Sequence, residues 1–296
     1  MSNTYLEIGD SWLNFEQVKN FLKKDLHLSI SKHAEEKILK CREYLNKKLN
    51  DSEELFYGIN TGFGFFQDVK ISRDQLKELQ SNLLKSHACG VGEEVPKDVV
   101  KLMMMLKIKS LSYGYSGVSI ELVMRLTDLY NNDVLPVIYT QGSLGASGDL
   151  APLSHLSLPL IGLGEVYYKG IKHEAKEILD KFDWKPIDLQ SKEGLALING
   201  TQFMGAYGLH SLVNAERLVA WADVISAISF EAFDGVDDCF NKKIHSIRSH
   251  KGQVDTAKKL RELLKGSKIA SQKKSQVQDP YSFRCIPQVH GATKDS

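Results

Sequence analysis

The sequence predicts a mainly α protein, a long-helix bundle fed by a smaller, loop-rich N-terminal region. Three observations predict it. Apolar residues recur at helical spacing through most of the chain, strand patterning is confined to one short stretch, and a segment near 202–233 is apolar on nearly every face. The chain has 296 residues, enough to bury a large core. The expected division is a region 1–200 and a second region 201–296 that begins the long-helix bundle.

The elements follow in order. Segment 31–49 sets Ile38, Leu39, Cys41, Tyr44, Leu45 and Leu49 at helical spacings with Glu and Lys between them. Ser72 followed by Gln75 resembles a capping box and opens a helix with Leu76, Leu79, Leu83, Leu84 and His87 on one stripe. Segments 97–112 and 119–130 read as two more helices. Met103, Met104 and Met105 read as core filling, since no Cys or His accompanies them. The stretch Glu165–His173 reads as a short hairpin turning at Lys169-Gly170. The segment 202–233 would span roughly 45–50 Å as one helix. A helix so apolar belongs at the centre of a large bundle or in a subunit contact. A further helix is expected from 252 to 265.

Composition narrows the class. Lys+Arg is 38 against Asp+Glu 37, a formal net charge of +1, which lacks the basic footprint of a nucleic-acid reader. The 42% hydrophobic and 25% charged fractions are those of a folded globular chain rather than a disordered one. The four cysteines form no CxxC pair, so neither a zinc site nor a dense disulfide framework is expected, and free buried thiols are. His245 and His250 are five apart and HExxH is absent, so no metal is expected. No basic-then-apolar leader opens the chain and no apolar run is long enough to span a bilayer, so a cytoplasmic protein without a membrane partner is expected.

The most unusual stretch runs from Thr140 to Pro152, TQGSLGASGDLAP. It lacks the lysine of a phosphate-binding loop, and neither Ser143 nor Ser147 sits in the G-x-S-x-G of a nucleophile elbow. Asp149 before Leu-Ala-Pro also looks like a helix entry. By itself such a loop reads equally as structural or functional. Ala146-Ser147-Gly148 has one further possibility. If a tight turn presses the Gly148 nitrogen onto the Ala146 carbonyl, the backbone can close a five-membered ring. Loss of that oxygen and of the Ser147 hydroxyl as water leaves a methylidene-imidazolone, an electrophile no ordinary side chain provides.

The segment GSLGASGDLAPLSH resembles the signature of the aromatic amino acid ammonia-lyases, the histidine/phenylalanine ammonia-lyase family. Four other segments agree in the same order: Tyr57-Gly-Ile-Asn-Thr-Gly-Phe-Gly64, Ser86-His-Ala-Cys-Gly90, Glu193-Gly-Leu-Ala-Leu-Ile-Asn-Gly-Thr-Gln202 and Gln278-Asp-Pro-Tyr-Ser-Phe-Arg-Cys-Ile-Pro-Gln288. The similarity covers essentially the whole chain. The Ser-His-Ala and Gln-Asp-Pro-Tyr-Ser forms are most similar to histidine ammonia-lyases, although tyrosine-type enzymes also carry a histidine at the position of His87.

The resemblance implies an ammonia-lyase / aspartase-like helical fold and a self-derived 4-methylidene-imidazol-5-one (MIO) from Ala146, Ser147 and Gly148, with no external cofactor. If the chain is helical from 149, the ring lies at a helix N-terminus, where the dipole draws electron density toward it. Tyr57 would be the general base for the β-proton. Phenols titrate near pH 10 in water, so the role asks neighbours to lower that value. Asn199 would bond the ring carbonyl or the substrate amine; its plain alternative is the N-cap of the helix near 202. Tyr281 would assist at the electrophile and Gln278 would line the site. Arg284 would bind the substrate carboxylate with its planar fork, against the alternative of a structural ion pair. His87 would contact the substrate imidazole, against the alternative of a satisfied core histidine.

The implied reaction converts L-histidine to urocanate and ammonia. The alternatives are a tyrosine or phenylalanine ammonia-lyase or aminomutase of the same mechanism, and an inactive helical scaffold. Family chains are longer, supply a glutamate and an aromatic from the remaining bundle, and assemble as homotetramers. The sequence is therefore expected to be C-terminally truncated relative to them.

Overall fold

Strand β1 (Tyr5–Ile8) pairs in parallel with β2 (His27–Ile30), and α1 (Phe15–Lys23) crosses between them. The computed structural model describes residues 5–9, 11–24, 26–52, 54–63, 67–143 and 148–296, with only the backbone of residues 73 and 74. Asn14 and Gln17 form a reciprocal capping box at the start of α1, each side chain accepting the other's N–H at 2.9 Å. Helix α2 (Lys32–Asp51) follows a Ser31 cap and buries Ala34, Ile38, Arg42 and Leu45. The stripe expected here is corrected: Leu39 and Tyr44 lie exposed, because the buried face turns to include Arg42. The Arg42 guanidinium donates to the carbonyls of Gly117 and Ser191, both at 2.8 Å, which lets it sit inside.

Helix α3 (Arg73–His87) begins after Ser72, but no side-chain cap forms there. The Ser72 hydroxyl donates to Gln75 Oε1 at 3.0 Å instead of exchanging bonds with the backbone, so the capping box is a sequence pattern only. Strand β3 (Val91–Glu94) leads into α4 (Lys97–Ser112), which is buried almost all round. Met103, Met104 and Met105 are fully inside. Two lysines are drawn in with them. Lys109 donates to the carbonyls of Gly9 and Ser11, and Lys107 reaches the site described below.

Helix α5 (Ile120–Asn131) is capped by Ser119 and packs on α4. Its last residue, Asn131, bonds both backbone groups of Leu28 and so anchors the β1/β2 pair. Short strands β4 (Leu135–Pro136) and β5 (Tyr139–Gln141) come next, β5 antiparallel to β3. Helix α6 (Leu150–Ser157) runs into a 3-10 turn, Leu158–Ile161. The hairpin forms as expected: β6 (Glu165–Tyr168) and β7 (Ile171–Glu174) pair antiparallel, with β4 on the other side of β6. Lys169 and Gly170 have φ of 52° and 77°, the left-handed pair that a two-residue hairpin turn requires. Helices α7 (Ala175–Lys181) and α8 (Glu193–Ile198) lead to α9 (Gln202–Ala232), a single 31-residue helix.

The chain divides into two compact units, Met1–His210 and Ser211–Ser296, with the boundary inside α9. The second unit holds a 3-10 turn at Asp237–Phe240, then α10 (Lys242–Ser246), α11 (Lys251–Leu263), α12 (Tyr281–Arg284) and α13 (Ile286–Asp295). Its core is Ala227, Phe230, Phe240, Leu260, Leu264, Ala270 and Ile286, and α11 packs on α13. Asp223 of α9 accepts from His290 Nδ1 at 2.9 Å and from Lys294 at 2.6 Å.

All four cysteines are free, but none is fully buried: Cys89 is exposed and Cys41, Cys239 and Cys285 are half-buried. Burial still pushes the Cys239 thiol up to about 12, with the Asp279 charge adding to it. Among the described residues no helix is long and apolar enough to cross a membrane.

Candidate active site

In the first unit α3, α6 and α8 pack on one another, with His87 ending α3, Gly148 just before α6 and Asn199 just after α8. Tyr57 opens a turn in which Gly58 has φ +66° and its N–H donates to Thr61 Oγ1 at 3.1 Å. Gln80 of α3, fully buried, ties this turn to α8. Its amide nitrogen donates to the Gly58 carbonyl at 3.5 Å and its oxygen accepts from Leu195 N–H at 3.2 Å. Tyr57 itself stays 55% exposed, with its ring edge-on to Phe63 at 6.1 Å.

His87 is the last residue of α3 and is half-buried. Its Nδ1 lies 2.9 Å from the Leu83 carbonyl, which can only accept. That contact favours the tautomer with hydrogen on Nδ1, leaving Nε2 as an acceptor. Just beyond, the Gly90 N–H donates to His155 Nε2 at 2.9 Å. Burial lowers the His155 pKa, which keeps that nitrogen an acceptor.

Ala146 and Ser147 lie outside the described residues, and Gly148 is the member of the tripeptide that is described. Gly148 has φ +89° and forms a parallel bridge with Gly200. A Cβ at 148 would fall 2.2 Å from the Gly200 carbonyl oxygen, so only glycine fits. The Ser143 hydroxyl donates to the Gly148 carbonyl at 3.0 Å, and Asp149 N–H donates to the Gly200 carbonyl at 2.9 Å. Helix α6 starts at Leu150, so Gly148 lies just before a helix N-terminus. A crowded, left-handed glycine at this point fits a backbone that condenses on itself.

Asn199 ends α8, and its Nδ2 donates to the Leu195 carbonyl at 3.0 Å. The N-cap alternative for Asn199 is corrected: the α9 backbone N–H of Met204 is taken at 3.0 Å by Asp149 Oδ2. Below Asn199 sits Lys107, which donates to the carbonyls of Ala196 at 2.6 Å and Asn199 at 3.0 Å. Burial lowers its pKa to about 7, and the Lys192 charge adds to the effect. Sequence reading missed Lys107, Gln80, Gly200 and the capping role of Asp149. One signal was available for the lysine: a cation in the middle of LMMMLKIKSL must find acceptors once that helix is buried all round.

In the second unit the structure brings Gln278, Tyr281 and Arg284 together. The Arg284 guanidinium lies over the Tyr281 ring at 4.4 Å. With its amide oxygen turned toward the guanidinium, Gln278 accepts from Arg284 Nη2 at 2.9 Å. Buried Asp279 fixes the loop by accepting the Val236 N–H at 2.6 Å, and Phe283 stacks on Phe233 at 4.4 Å. Tyr281 is 74% exposed. Among the described residues no group of His, Cys, Asp and Glu is arranged to hold a metal ion.

The family model for aromatic amino acid lyases matches residues 13–296. A histidine ammonia-lyase of Staphylococcus saprophyticus is 43% identical over 97% of this chain, which spans 58% of that relative's length. Among solved structures, histidine ammonia-lyase from Trypanosoma cruzi superposes with a TM-score of 0.87 at 36% identity, covering 99% of this chain and 55% of that one. The ergothioneine-degrading enzyme ergothionase from Treponema denticola superposes with a TM-score of 0.92 at 30% identity, covering 98% of this chain and 58% of that one.

Proposed function

As a member of the aromatic amino acid lyase family, this chain carries, we propose, the electrophile-bearing part of an enzyme that eliminates ammonia from L-histidine to give urocanate. The observation that carries this reading is the left-handed, backbone-crowded Gly148, bridged to Gly200 directly before α6 at the position the resemblance gives to the ring. The similarity to histidine ammonia-lyases at 43% identity supports the choice of substrate.

The ring formed from Ala146, Ser147 and Gly148 would supply an electrophilic carbon for the substrate amine. The other steps fall to side chains. His87, with Nε2 as acceptor, would bond the N–H of the substrate imidazole. Arg284 would take the carboxylate in a bidentate pair, exchanging the Gln278 oxygen for two charged ones. Tyr57 Oη would receive the β-proton as the Cα–N bond breaks, leaving an α,β-unsaturated acid and ammonia. The Asn199 amide would stabilise charge as it develops, and Tyr281 would assist at the electrophile. The β-proton is weakly acidic, so these dipoles must be set in advance and water kept out. The homotetramer and the cytoplasmic location implied by the resemblance belong to the same reading.

The test is intact mass together with ammonia release from histidine, tyrosine and phenylalanine. The chain is expected to weigh less than its sequence by two water molecules, located in the peptide spanning 142–148. Ser147→Ala is expected to retain both waters and release no ammonia. An unmodified wild-type mass would leave only a helical scaffold, and preferred release from tyrosine or phenylalanine would reassign the substrate.

A further inference from the structure

We propose that Lys107 is a positioning residue: from the core of α4 its side chain holds the Asn199–Gly200 peptide against the turn at Gly148 and so sets the geometry in which residues 146–148 close into a ring. The inference rests on the reading above that the ring forms.

Lys107 is 1% exposed, and its Nζ donates to two carbonyls at the C-terminal end of α8. There the helix carbonyls lack partners of their own and the dipole's negative pole attracts a cation. The Asn199 carbonyl belongs to the peptide that leads into Gly200. The carbonyl of Gly200 in turn accepts Asp149 N–H at 2.9 Å, beside the bridge to Gly148. A single side chain therefore grips the frame one peptide away from the bond-forming turn.

An apolar side chain of similar length could fill the same space but would leave the Ala196 and Asn199 carbonyls without this buried donor. A lysine here points to the direction of its bonds. Lys192, whose own Nζ donates to the Ser116 carbonyl at 2.5 Å, is the charged neighbour that opposes the Lys107 charge. Even as a neutral amine Lys107 keeps two hydrogens for its two carbonyls.

In ring closure the Gly148 nitrogen bonds to the Ala146 carbonyl carbon. That oxygen leaves as water with the hydrogens of the Gly148 and Ser147 nitrogens, forming a C=N bond. The Ser147 hydroxyl leaves with the Ser147 α-hydrogen as a second water, forming the exocyclic C=C bond. No oxidant is consumed. The first step needs the Gly148 nitrogen brought onto the Ala146 carbonyl carbon, and Gly200 is bridged to Gly148.

The experiment compares the full wild-type chain with Lys107→Met and Lys107→Arg. It follows the loss of two waters in the 142–148 peptide after refolding, with thermal unfolding as a control for the fold. Lys107→Met is expected to fold and to dehydrate about a hundredfold more slowly, as misplacement of a reacting group does. Lys107→Arg, which can reach the same carbonyls, is expected to recover most of the rate. A methionine variant that dehydrates as fast as wild type overturns the inference. So does an arginine variant no better than methionine, which would mark a packing role. If the methionine variant does not fold, Lys107→Gln, with a donor and no charge, takes its place under the same criteria. A wild-type chain that keeps both waters removes the ring and the inference together, whereas a dehydrated wild type with indifferent variants removes the lysine alone.

Discussion

The Asp149 carboxylate accepts the backbone N–H of Met204 at 3.0 Å, so the residue next to the crowded glycine caps the long helix 55 positions further on. The turn and the start of α9 are thereby one structural unit, joined a second time by Asp149 N–H on the Gly200 carbonyl.

Asp149→Ala is expected to lower stability by about 1 kcal/mol, the ordinary cost of losing an N-cap acceptor. Asp149→Asn keeps the acceptor and is expected to lose less, through the helix dipole alone. Thermal unfolding of the three proteins checks this, and equal midpoints would mean the cap contributes nothing.

Gly148→Ala is expected to destabilise by about 1–3 kcal/mol, because it combines a left-handed φ with a Cβ driven into the Gly200 oxygen. Gly170→Ala is the control. It has φ +77° but open space around it, so it carries the backbone strain without the collision. Urea unfolding that ranks the two equally would remove steric crowding from the account.

His155 accepts a hydrogen bond only when neutral, and burial holds its pKa below 6.5 in the folded chain. The unfolded chain therefore binds the proton first as pH falls. Its contribution to stability is present above pH 6.5 and is lost below it, levelling off under the folded pKa. Urea midpoints between about pH 5 and 8 should fall on acidification in wild type. The fall should be smaller in His155→Gln, and identical slopes would assign the dependence to other groups.

His87→Phe is expected to weaken release of ammonia from histidine more than from phenylalanine. The variant removes an imidazole contact and leaves an apolar wall. Steady-state rates on both substrates decide it, and an equal loss on the two would mean that His87 does not read the ring.

Much of the helical framework was legible in the sequence, because α4, α5, α9 and α11 are long and strongly patterned, and Lys169-Gly170 can hardly be anything but a tight turn. The β1/β2 pair was not. Its strands are four residues each, and the pair is anchored through Leu28 by Asn131, about a hundred positions away. At the site, the motif residues could be named from the chain, whereas their supports could not. Gln80 joins Gly58 to Leu195, and Lys107 joins α4 to α8, through contacts that span 22 to 115 positions. Local periodicity carries no record of bonds at that range. It also misplaced the buried face of α2, where Arg42 is drawn in by two carbonyls that only the folded chain supplies.

Gly200 has φ +143°, and a side chain there would strike the Gln202 amide, while one at Gly148 would strike Gly200 itself. In a saturation-mutagenesis library, position 200 should therefore score as intolerant as the tripeptide, although no atom of it is lost or rearranged. A map of mutational sensitivity would draw the reactive centre larger than its chemistry, and the excess would outline the mould in which the centre is cast.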